Sequence, residues 1–319
     1  MPADPRLAAS PFAAWQAAPL AGDASARHYA RLTGPDGDSV ILMDASGDPP
    51  AATAAFITLA RLLTAHSLAA PAILWTDPAG SLLVVEDLGR HTFAEWLAAH
   101  PGDEARLYTA AVDLLPAVQA VPLPAGLVTF TPAHAAGLIA PLFDHYLATP
   151  PATLQAEVTG LLQEALSTLP PGRERLALRD FHAENLIWRP HHDDATRIGL
   201  LDFQDAVAAP PEYDLVSLLR DARRDVPDPL RSALMDRFAA ITGQEAGLVT
   251  RSCALWGVQR NLRILGIFAR LAGSGGKPRY RALMPRVHSQ IMADLAHPAL
   301  ASLAPLLRRN LPPPPGGAA

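Results

Sequence analysis

Residues 178–185 read LRDFHAEN and residues 201–205 read LDFQD, and these two stretches decide the fold. They place Asp180 five positions before Asn185, and Asp202 seventeen positions after Asn185. Each lies beside a short apolar run that predicts a strand. A kinase-type phosphoryl-transfer site requires this spacing, with one Asp to accept the substrate hydroxyl proton and an Asn and a second Asp to hold Mg²⁺.

A single Asp-to-Asn spacing of this kind arises by chance in many proteins, because both residues are common in turns. Here several further features coincide. Arg179 precedes the Asp, an apolar run over residues 186–188 follows Asn185, and a polar turn over residues 191–197 leads into a second apolar run. Mg²⁺ prefers hard oxygen ligands and keeps several waters, so one amide and one carboxylate suffice. The pattern predicts Asp180 as the catalytic base and Asn185 with Asp202 as the metal ligands.

With these motifs the chain resembles the aminoglycoside phosphotransferase and choline kinase superfamily, small-molecule kinases with a protein-kinase-like fold. Residues 211–219, PEYDLVSLL, are similar to that family's helix after the metal Asp. The chain resembles still more closely the sugar kinases of cell-wall recycling, which phosphorylate the anomeric hydroxyl of N-acetylmuramate and N-acetylglucosamine. That resemblance covers nearly the whole chain and rests on residues 22–27, 40–45, 179–188, 201–206 and 259–268. It implies ATP and Mg²⁺ as cofactors and the C1 hydroxyl as the phosphate acceptor.

The composition limits the classes of partner. The chain has 319 residues, of which 50% are hydrophobic and 18% charged, with a formal net charge of −5. It therefore buries a sizeable core but has no basic stripe for nucleic acid. We expect a small-molecule sugar and a nucleotide as partners, with no nucleic acid and no membrane. The amino-acid sequence does not specify an oligomeric state.

Three features predict a cytoplasmic location. The single cysteine, Cys253, excludes an intramolecular disulfide and suits a reducing compartment. The first residues lack the charged-then-apolar pattern of a secretory signal. Residues 114–143 carry no Asp, Glu, Lys or Arg, but five prolines interrupt them too often for one membrane-spanning helix.

The order of elements predicts an α+β fold of two lobes. Strands are expected over residues 27–33, 39–44, 73–75 and 82–85, with a helix over residues 52–65 between the two pairs. Helices are expected over residues 92–99, 103–121, 132–147 and 153–169, and again after the catalytic strands. We predict a small β-rich nucleotide-binding lobe at residues 1–87 and a larger, mainly helical catalytic and substrate lobe at residues 88–311. Residues 312–319, rich in proline, are predicted to be a disordered tail.

The resemblance implies that nucleotide lies in the cleft between the lobes. The backbone of Glu86 and Leu88 would then pair with the adenine edge, although these residues also fit a solvated strand end. Gly22, Asp23 and Ser25 lie where a kinase carries its phosphate-covering loop. The loop has one Gly instead of three, and a plain turn capped by Asp23 fits it almost as well.

The Lys–Glu pair that protein kinases use to hold the α- and β-phosphates is missing. Residues 39–44 contain no Lys, with Met43 near the expected place, and residues 51–65 contain no Glu. Arg27 and Arg31 lie on one face of the predicted strand. We predict Arg31 as the replacement cation, and a surface charge is the alternative.

Three residues near the catalytic motifs are candidates for hydrogen bonds to sugar hydroxyls: Glu184, Asp205 and Tyr213. A loop carboxylate, a local cap and a packing residue are their respective alternatives. His182 is predicted to be structural, because Asp180 occupies the base position. Three rival functions stay open: a kinase for another hydroxyl compound such as choline or an aminoglycoside, a nucleotide-binding pseudokinase without the Lys–Glu pair, and a structural module that binds no nucleotide.

Overall fold

The computed structural model of the chain describes residues 4–20 and 27–314. The strands are β1 (Gln16–Pro19), β2 (His28–Thr33), β3 (Ser39–Asp44), β4 (Ile73–Thr76), β5 (Leu82–Glu86), β6 (Arg175–Ala177), β7 (Leu186–Trp188), β8 (Ile198–Leu200) and β9 (Val207–Ala209). The helices are α1 (Pro50–Ala65), α2 (Phe93–Ala99), α3 (Glu104–Gln119), α4 (Pro132–Gly137), α5 (Ala152–Ser167), α6 (Glu212–Leu219), α7 (Asp228–Thr242), α8 (Ala246–Ala272), α9 (Met284–Asp294) and α10 (Ala304–Asn310). Contacts divide the chain into a first unit, residues 1–107 with 184–205, and a second unit, residues 108–183 with 206–319.

The first unit contains a five-stranded antiparallel sheet in the order β1-β2-β3-β5-β4. The predicted pairing of β2 with β3 is confirmed, with His28 opposite Asp44. Gly37 has a φ of +87° in the connecting turn, a conformation that favours glycine. Apolar side chains alternate along the strands, so one face of the sheet packs into a cluster of Leu7, Leu32, Val40, Leu42, Leu82 and Val84.

Helix α1 buries the apolar stripe that its sequence predicts, with Phe56, Leu59 and Leu63 all buried. The β7–β8 hairpin belongs to the same unit, and bridges from Ala69 to Gly199 and from Thr92 to Ile187 attach it. A Cβ at Gly199 would lie 3.0 Å from Leu88 Cδ1, so the hairpin approaches Leu88 too closely for a side chain there. This hairpin carries Asn185 and Asp202 at its open end.

The second unit is built around α8, a 27-residue helix whose residues are mostly buried. It packs against α6, α7, α9 and the π-helical turn Leu142–Tyr146. A Cβ at Gly266 would lie 2.2 Å from the carbonyl carbon of Pro141, so only glycine permits this contact. The sheet of the first unit and the helices of the second confirm the predicted α+β class.

Several local predictions differ from the structure. The helix expected over residues 132–147 is divided, because α4 ends at Gly137 and the π-helical turn follows. Strands β1 and β9 were not predicted, since they are three or four residues long and lack a clear alternation. Strand β6 is the strand expected beside Asp180. Within the described residues, every helix is too short or too polar to cross a membrane. The predicted lobe boundary after residue 87 stays a prediction.

The predicted tail lies partly within the described residues. The carbonyl of Pro312 accepts a hydrogen bond of 2.6 Å from the hydroxyl of Tyr146, and Pro314 is buried. These contacts attach the start of residues 312–319 to the second unit. The prediction of a disordered tail for the last residues falls outside the described chain.

Candidate active site

Asp180 lies in a tight turn after strand β6, which we call the base loop (residues 178–183). The N–H of Asp180 donates to the carbonyl of Leu178 at 2.9 Å, and the N–H of His182 donates to the carbonyl of Asp180 at 3.1 Å. Arg179 has a φ of +73°, a left-handed conformation that costs a non-glycine residue on the order of 1–3 kcal/mol. Such a conformation persists only where neighbouring groups hold it.

Asp214, in the first turn of α6, holds the backbone of the base loop. Its Oδ2 accepts the N–H of Leu178 at 2.7 Å, and its Oδ1 accepts the N–H of Arg179 at 2.9 Å. Ser217 donates its hydroxyl to the carbonyl of Arg179 at 3.0 Å. Burial raises the pKa of Asp214 to about 6, although the two N–H donors act in the opposite direction. One buried carboxylate thus satisfies two consecutive N–H groups at the strained residue.

Arg260 on α8 holds the same loop and reaches the carboxylate of Asp180. Its Nη1 donates to the carbonyl of Arg179 at 2.9 Å, and its Nη2 lies 3.4 Å from Oδ1 of Asp180. The guanidinium is buried and lies 5.8 Å from the ring centroid of Tyr213. Helices α6 and α8 therefore position Asp180 together.

The electrostatics of the base loop keep Asp180 ionised. Burial alone would raise its pKa, but the charges of Arg260, His182 and Arg179 outweigh burial and lower the pKa. The side chain is 34% exposed, so the carboxylate is accessible to a substrate hydroxyl. His182 is buried, and burial lowers its pKa. This agrees with a structural role for His182.

The β7–β8 hairpin brings Asn185 and Asp202 together. Leu186 pairs with Leu200, so the residues just beyond this pair are also neighbours, and the N–H of Leu201 donates to the carbonyl of Asn185 at 3.0 Å. Nδ2 of Asn185 lies 3.5 Å from Oδ2 of Asp202. Asp202 has a φ of +57°, the second left-handed non-glycine residue in the predicted catalytic motifs. We call residues 201–205 the metal loop.

The metal loop suits Mg²⁺. The Asp202 carboxylate is exposed and forms no ion pair with any residue that the structure describes. Nε2 of Gln204 donates to Oδ1 of Asp202 at 2.7 Å, which orients the carboxylate, while Oε1 of Gln204 has no hydrogen-bond partner among the described residues. Carboxylate and amide oxygens are hard ligands of the type that Mg²⁺ takes. A 180° rotation of the Asn185 amide would place its oxygen where its nitrogen now lies, and so offer Mg²⁺ an oxygen ligand.

Among the predicted nucleotide-binding residues, Arg31 and Glu86 lie in strands of the first unit and Leu88 follows β5. Gly22, Asp23 and Ser25 fall outside the described residues. Glu86 ends strand β5, and its N–H donates to the carbonyl of Ala72 at 2.9 Å. Its side chain lies 3.7 Å from Nη2 of Arg189. The side chain of Leu88 is buried. The adenine contact of this segment stays a prediction.

Arg31, the predicted replacement cation, is held by the segment after β5. Its Nε donates to Oδ2 of Asp87 at 2.6 Å, and its Nη2 donates to the carbonyl of Gly89 at 3.1 Å. Ser39 donates to the same carboxylate at 2.7 Å. Arg31 therefore braces the start of the segment predicted to meet adenine.

Arg27 lies towards the metal loop within the first unit. It is buried, its Nε lies 2.5 Å from Oδ2 of Asp48, and its guanidinium lies 5.6 Å from the ring centroid of Phe56. Phe56 stacks on Phe203, next to Asp202, at 5.2 Å. Burial raises the pKa of Tyr29. The charge of Arg27 lowers this pKa, and the charge of Asp202 raises it. The contacts thus favour Arg27 over Arg31 as the cation on the metal side, and the role of either stays a prediction.

The predicted substrate residues belong to both units. Glu184 and Asp205 are exposed and belong to the first unit. Tyr213, in the second unit, is buried, with its ring edge-on to Phe130 and Trp256 at 5.3 and 5.4 Å. This packing favours the alternative role for Tyr213, although its hydroxyl side still faces Arg260.

Sequence reasoning missed the groups that position the base loop. Asp214 lay in a segment recognised only as a family-like helix, and Arg260 lay in a segment used only for the subgroup resemblance. A carboxylate followed by a hydroxyl at helical spacing, as in Asp214 and Ser217, is the only local signal. Arg260 has none, since it is 80 residues from Asp180 in sequence.

Comparisons with known proteins agree with this geometry. Residues 16–248 match the model of the phosphotransferase enzyme family. An N-acetylmuramate/N-acetylglucosamine kinase from Caulobacter vibrioides is 35% identical over 96% of this chain and 95% of its own length.

Two solved structures show the fold. A choline/ethanolamine kinase family protein from Mesorhizobium loti has a TM-score of 0.63 at 19% identity, covering 95% of this chain and 97% of its own. The amicoumacin kinase hAmiN, in complex with AMP-PNP, Ca²⁺ and Ami, has a TM-score of 0.62 at 16% identity and covers 89% of both chains. The predicted kinase-like fold is confirmed, and the chain belongs to the phosphotransferase enzyme family, as an enzyme that transfers phosphate to a hydroxyl acceptor.

Proposed function

We propose that this protein is an ATP- and Mg²⁺-dependent kinase that transfers the γ-phosphate to the C1 hydroxyl of N-acetylmuramate or N-acetylglucosamine, giving the sugar 1-phosphate. The observation that carries the proposal is the pairing of Asn185 with Asp202 at the end of a short hairpin, 3.5 Å apart. The relative from Caulobacter vibrioides, named for both sugars and similar over nearly its full length, supports the acceptor class.

The base loop supports the chemistry of the acceptor. An ionised Asp180 accepts a hydrogen bond from the acceptor hydroxyl and takes its proton as the new O–P bond forms. The bond between the γ-phosphorus and its bridging oxygen breaks at the same time, and ADP leaves with that electron pair. A lowered pKa makes Asp180 a weak base, so its main contribution is to orient the hydroxyl, and proton transfer completes late.

The metal loop supports the chemistry of the phosphates. Asn185 and Asp202 would hold Mg²⁺, which when bound supplies positive charge between the β- and γ-phosphates. Gln204 keeps the Asp202 carboxylate in one orientation through its hydrogen bond of 2.7 Å. Preorganised charge of this kind is the main catalytic contribution expected of a kinase.

The experiment that tests the proposal measures ATP consumption over a panel of N-acetylmuramate, N-acetylglucosamine, choline and aminoglycosides. We expect turnover with one or both amino sugars and a product that no longer reduces, because its anomeric hydroxyl is blocked. Phosphorus-to-anomeric-proton coupling in the NMR spectrum identifies the C1 phosphate. A C6 phosphate would refute the anomeric specificity alone.

Two other outcomes would replace the proposal. Transfer to choline or an aminoglycoside, with none to either sugar, would favour the other acceptor classes. Nucleotide binding without transfer to any acceptor would favour a pseudokinase, the function suggested by the missing Lys–Glu pair.

A further inference from the structure

Arg263 is a charged group for which the chemistry described so far has no use. It lies on α8, three residues after Arg260, so the two side chains project from the same side of the helix. Arg263 is half-buried, yet among the described residues it forms no hydrogen bond and no ion pair. A guanidinium stays protonated in proteins, so Arg263 carries an unneutralised charge.

The surroundings of Arg263 increase the cost of that charge. Burial lowers its pKa, and the charges of Arg179 and Arg260 lower it further, while Tyr213 and Asp180 act in the opposite direction. The guanidinium of Arg260 already donates to Arg179 and lies within 3.4 Å of Asp180. Arg260 thus engages the carboxylate of Asp180, and Arg263 has no ion-pair partner among the described residues.

Partly buried charges are normally paired, because an unpaired one loses solvation without compensation. A ligand that brings an anion to Arg263 would supply the missing partner. Arginine favours carboxylates, since its planar fork matches the two carboxylate oxygens. The anion would lie on the side of Asp180, the residue proposed to meet the acceptor hydroxyl, which favours an anionic group on the acceptor.

We propose that Arg263 is the acceptor-specificity residue of this enzyme and that it binds the carboxylate of an acidic amino sugar. The inference rests on the proposed function. Of the two proposed acceptors, N-acetylmuramate carries a carboxylate on its lactyl ether and N-acetylglucosamine carries none. Arg263 therefore contributes to binding of the first and not of the second.

The test compares both sugars in Arg263→Gln and in Arg270→Gln. Arg270 lies on the same helix and is exposed, so its substitution is a matched control. In Arg263→Gln we expect kcat/KM for N-acetylmuramate to fall about 10- to 100-fold, mainly through KM, as for a lost charge-assisted hydrogen bond. We expect kcat/KM for N-acetylglucosamine and the KM for ATP to stay within about 3-fold of wild type.

Removing the negative charge from the substrate tests the same contact from the other side. The methyl ester of N-acetylmuramate lacks the negative charge, so it should be a poorer acceptor than the acid for wild type and an equal one for Arg263→Gln. Calorimetric titration of the acid and the ester, without nucleotide, should show the same pattern in binding affinity. Arg263→Lys keeps the charge without the planar fork, so it should recover part of the preference for the acid, and it replaces the Gln variant if that variant does not fold.

The outcomes separate the two proposals. Equal losses for both sugars, no loss for either, or a change confined to ATP would overturn the role of Arg263 and leave the proposed function intact. A wild-type protein that phosphorylates neither sugar would overturn the proposed function and this inference with it.

Discussion

The base loop and the metal loop each contain a left-handed residue, Arg179 and Asp202, but they are held very differently. Around Arg179, Asp214 binds two consecutive N–H groups, and Ser217 and Arg260 both donate to the carbonyl. Around Asp202, the side chain has one short hydrogen bond, from Gln204, and a 3.5 Å approach from Asn185. One loop is fixed through its backbone by two helices, whereas the other is fixed by its own hairpin.

The difference fits the roles proposed for the two loops. A base must be placed before the substrate arrives, because a misplaced carboxylate loses the advantage of orientation. A metal ligand must instead keep its oxygens accessible, since the ion itself completes the geometry. The base loop is therefore held by more hydrogen bonds from neighbouring helices, and the metal loop exposes a carboxylate that forms no ion pair among the described residues.

The largest effect is expected in the metal loop. Asp202→Ala should reduce transfer at least about 10³-fold and weaken Mg²⁺-dependent nucleotide binding, because a bound metal ion provides several kcal/mol of charge stabilisation. Asn185→Ala should change both quantities in the same direction. Nucleotide titrations with and without Mg²⁺ measure the effect, and unchanged Mg²⁺ dependence in both variants would end the metal assignment.

Asp180→Asn should leave nucleotide binding near wild type and lower kcat about 10²-fold or more, the usual scale for a positioned base. The two variants should differ, because Asp180→Asn should lose chemistry alone and Asp202→Ala should lose metal binding as well. Steady-state kinetics with calorimetric nucleotide titration distinguish them. Turnover within a few-fold of wild type would remove Asp180 from the mechanism.

Asp214→Asn tests whether the base loop is held through its backbone. An Asn side chain has one acceptor oxygen for the two N–H groups of Leu178 and Arg179, so one stays unsatisfied. We expect kcat to fall about 10-fold with little change in the KM for ATP. Ser217→Ala should lower kcat less, because Arg260 still donates to the same carbonyl. Equal kcat in all three proteins would show that the loop needs no such support.

Arg27 and Arg31, the two candidate replacement cations of the first unit, allow a further comparison. Arg27→Gln should raise the KM for ATP about 10-fold, as for loss of a charge-assisted contact to phosphate. Arg31→Gln should raise it less than about 3-fold, because Arg31 is paired with Asp87 near the predicted adenine segment. A larger rise in the KM for ATP in Arg31→Gln than in Arg27→Gln would favour Arg31 as the replacement for the missing Lys. Thermal unfolding of both variants controls for loss of structure.

The smallest effect is on stability. Burial raises the pKa of Asp214 and of Asp294 to about 6, above the value of about 3.9 in an unfolded chain. Between about pH 4 and pH 6 the folded state binds more protons than the unfolded state, so both groups make the free energy of unfolding fall as pH rises. We expect on the order of 1–2 kcal/mol per group.

Urea denaturation at pH 4.5, 5.5 and 6.5 measures this slope. As pH rises from 4.5 to 6.5, the free energy of unfolding of wild type should fall relative to that of Asp214→Asn. It should also fall relative to that of Asp294→Asn. The Asp294 variant serves as a control, since its site makes no contact with the base loop among the described residues and kcat should be preserved. A stability difference that is constant with pH would mean that neither carboxyl is protonated in the folded state.

Local spacing in the amino-acid sequence predicted the elements of the first unit well. Strand β3 and the apolar stripe of α1 follow from periodicity, because a strand repeats every two residues and a helix every 3.6. The pairing of Asn185 with Asp202 also follows from spacing, since a short hairpin returns Asp202 to Asn185. Contacts between residues close in sequence leave such a trace.

Tertiary structure alone decided the rest. Asp214 reaches the base loop from 35 residues away and Arg260 from 80, and no local pattern encodes such distances. The same holds for Arg31, whose pairing with Asp87 depends on the order of strands in the sheet. Arg263 reads in the sequence as one more basic residue of a long helix, and its missing counter-ion becomes visible only when the neighbouring elements are packed around it. The amino-acid sequence thus predicts which groups do the chemistry, whereas packing determines which groups hold them, because a side chain's partner depends on the whole path of the chain.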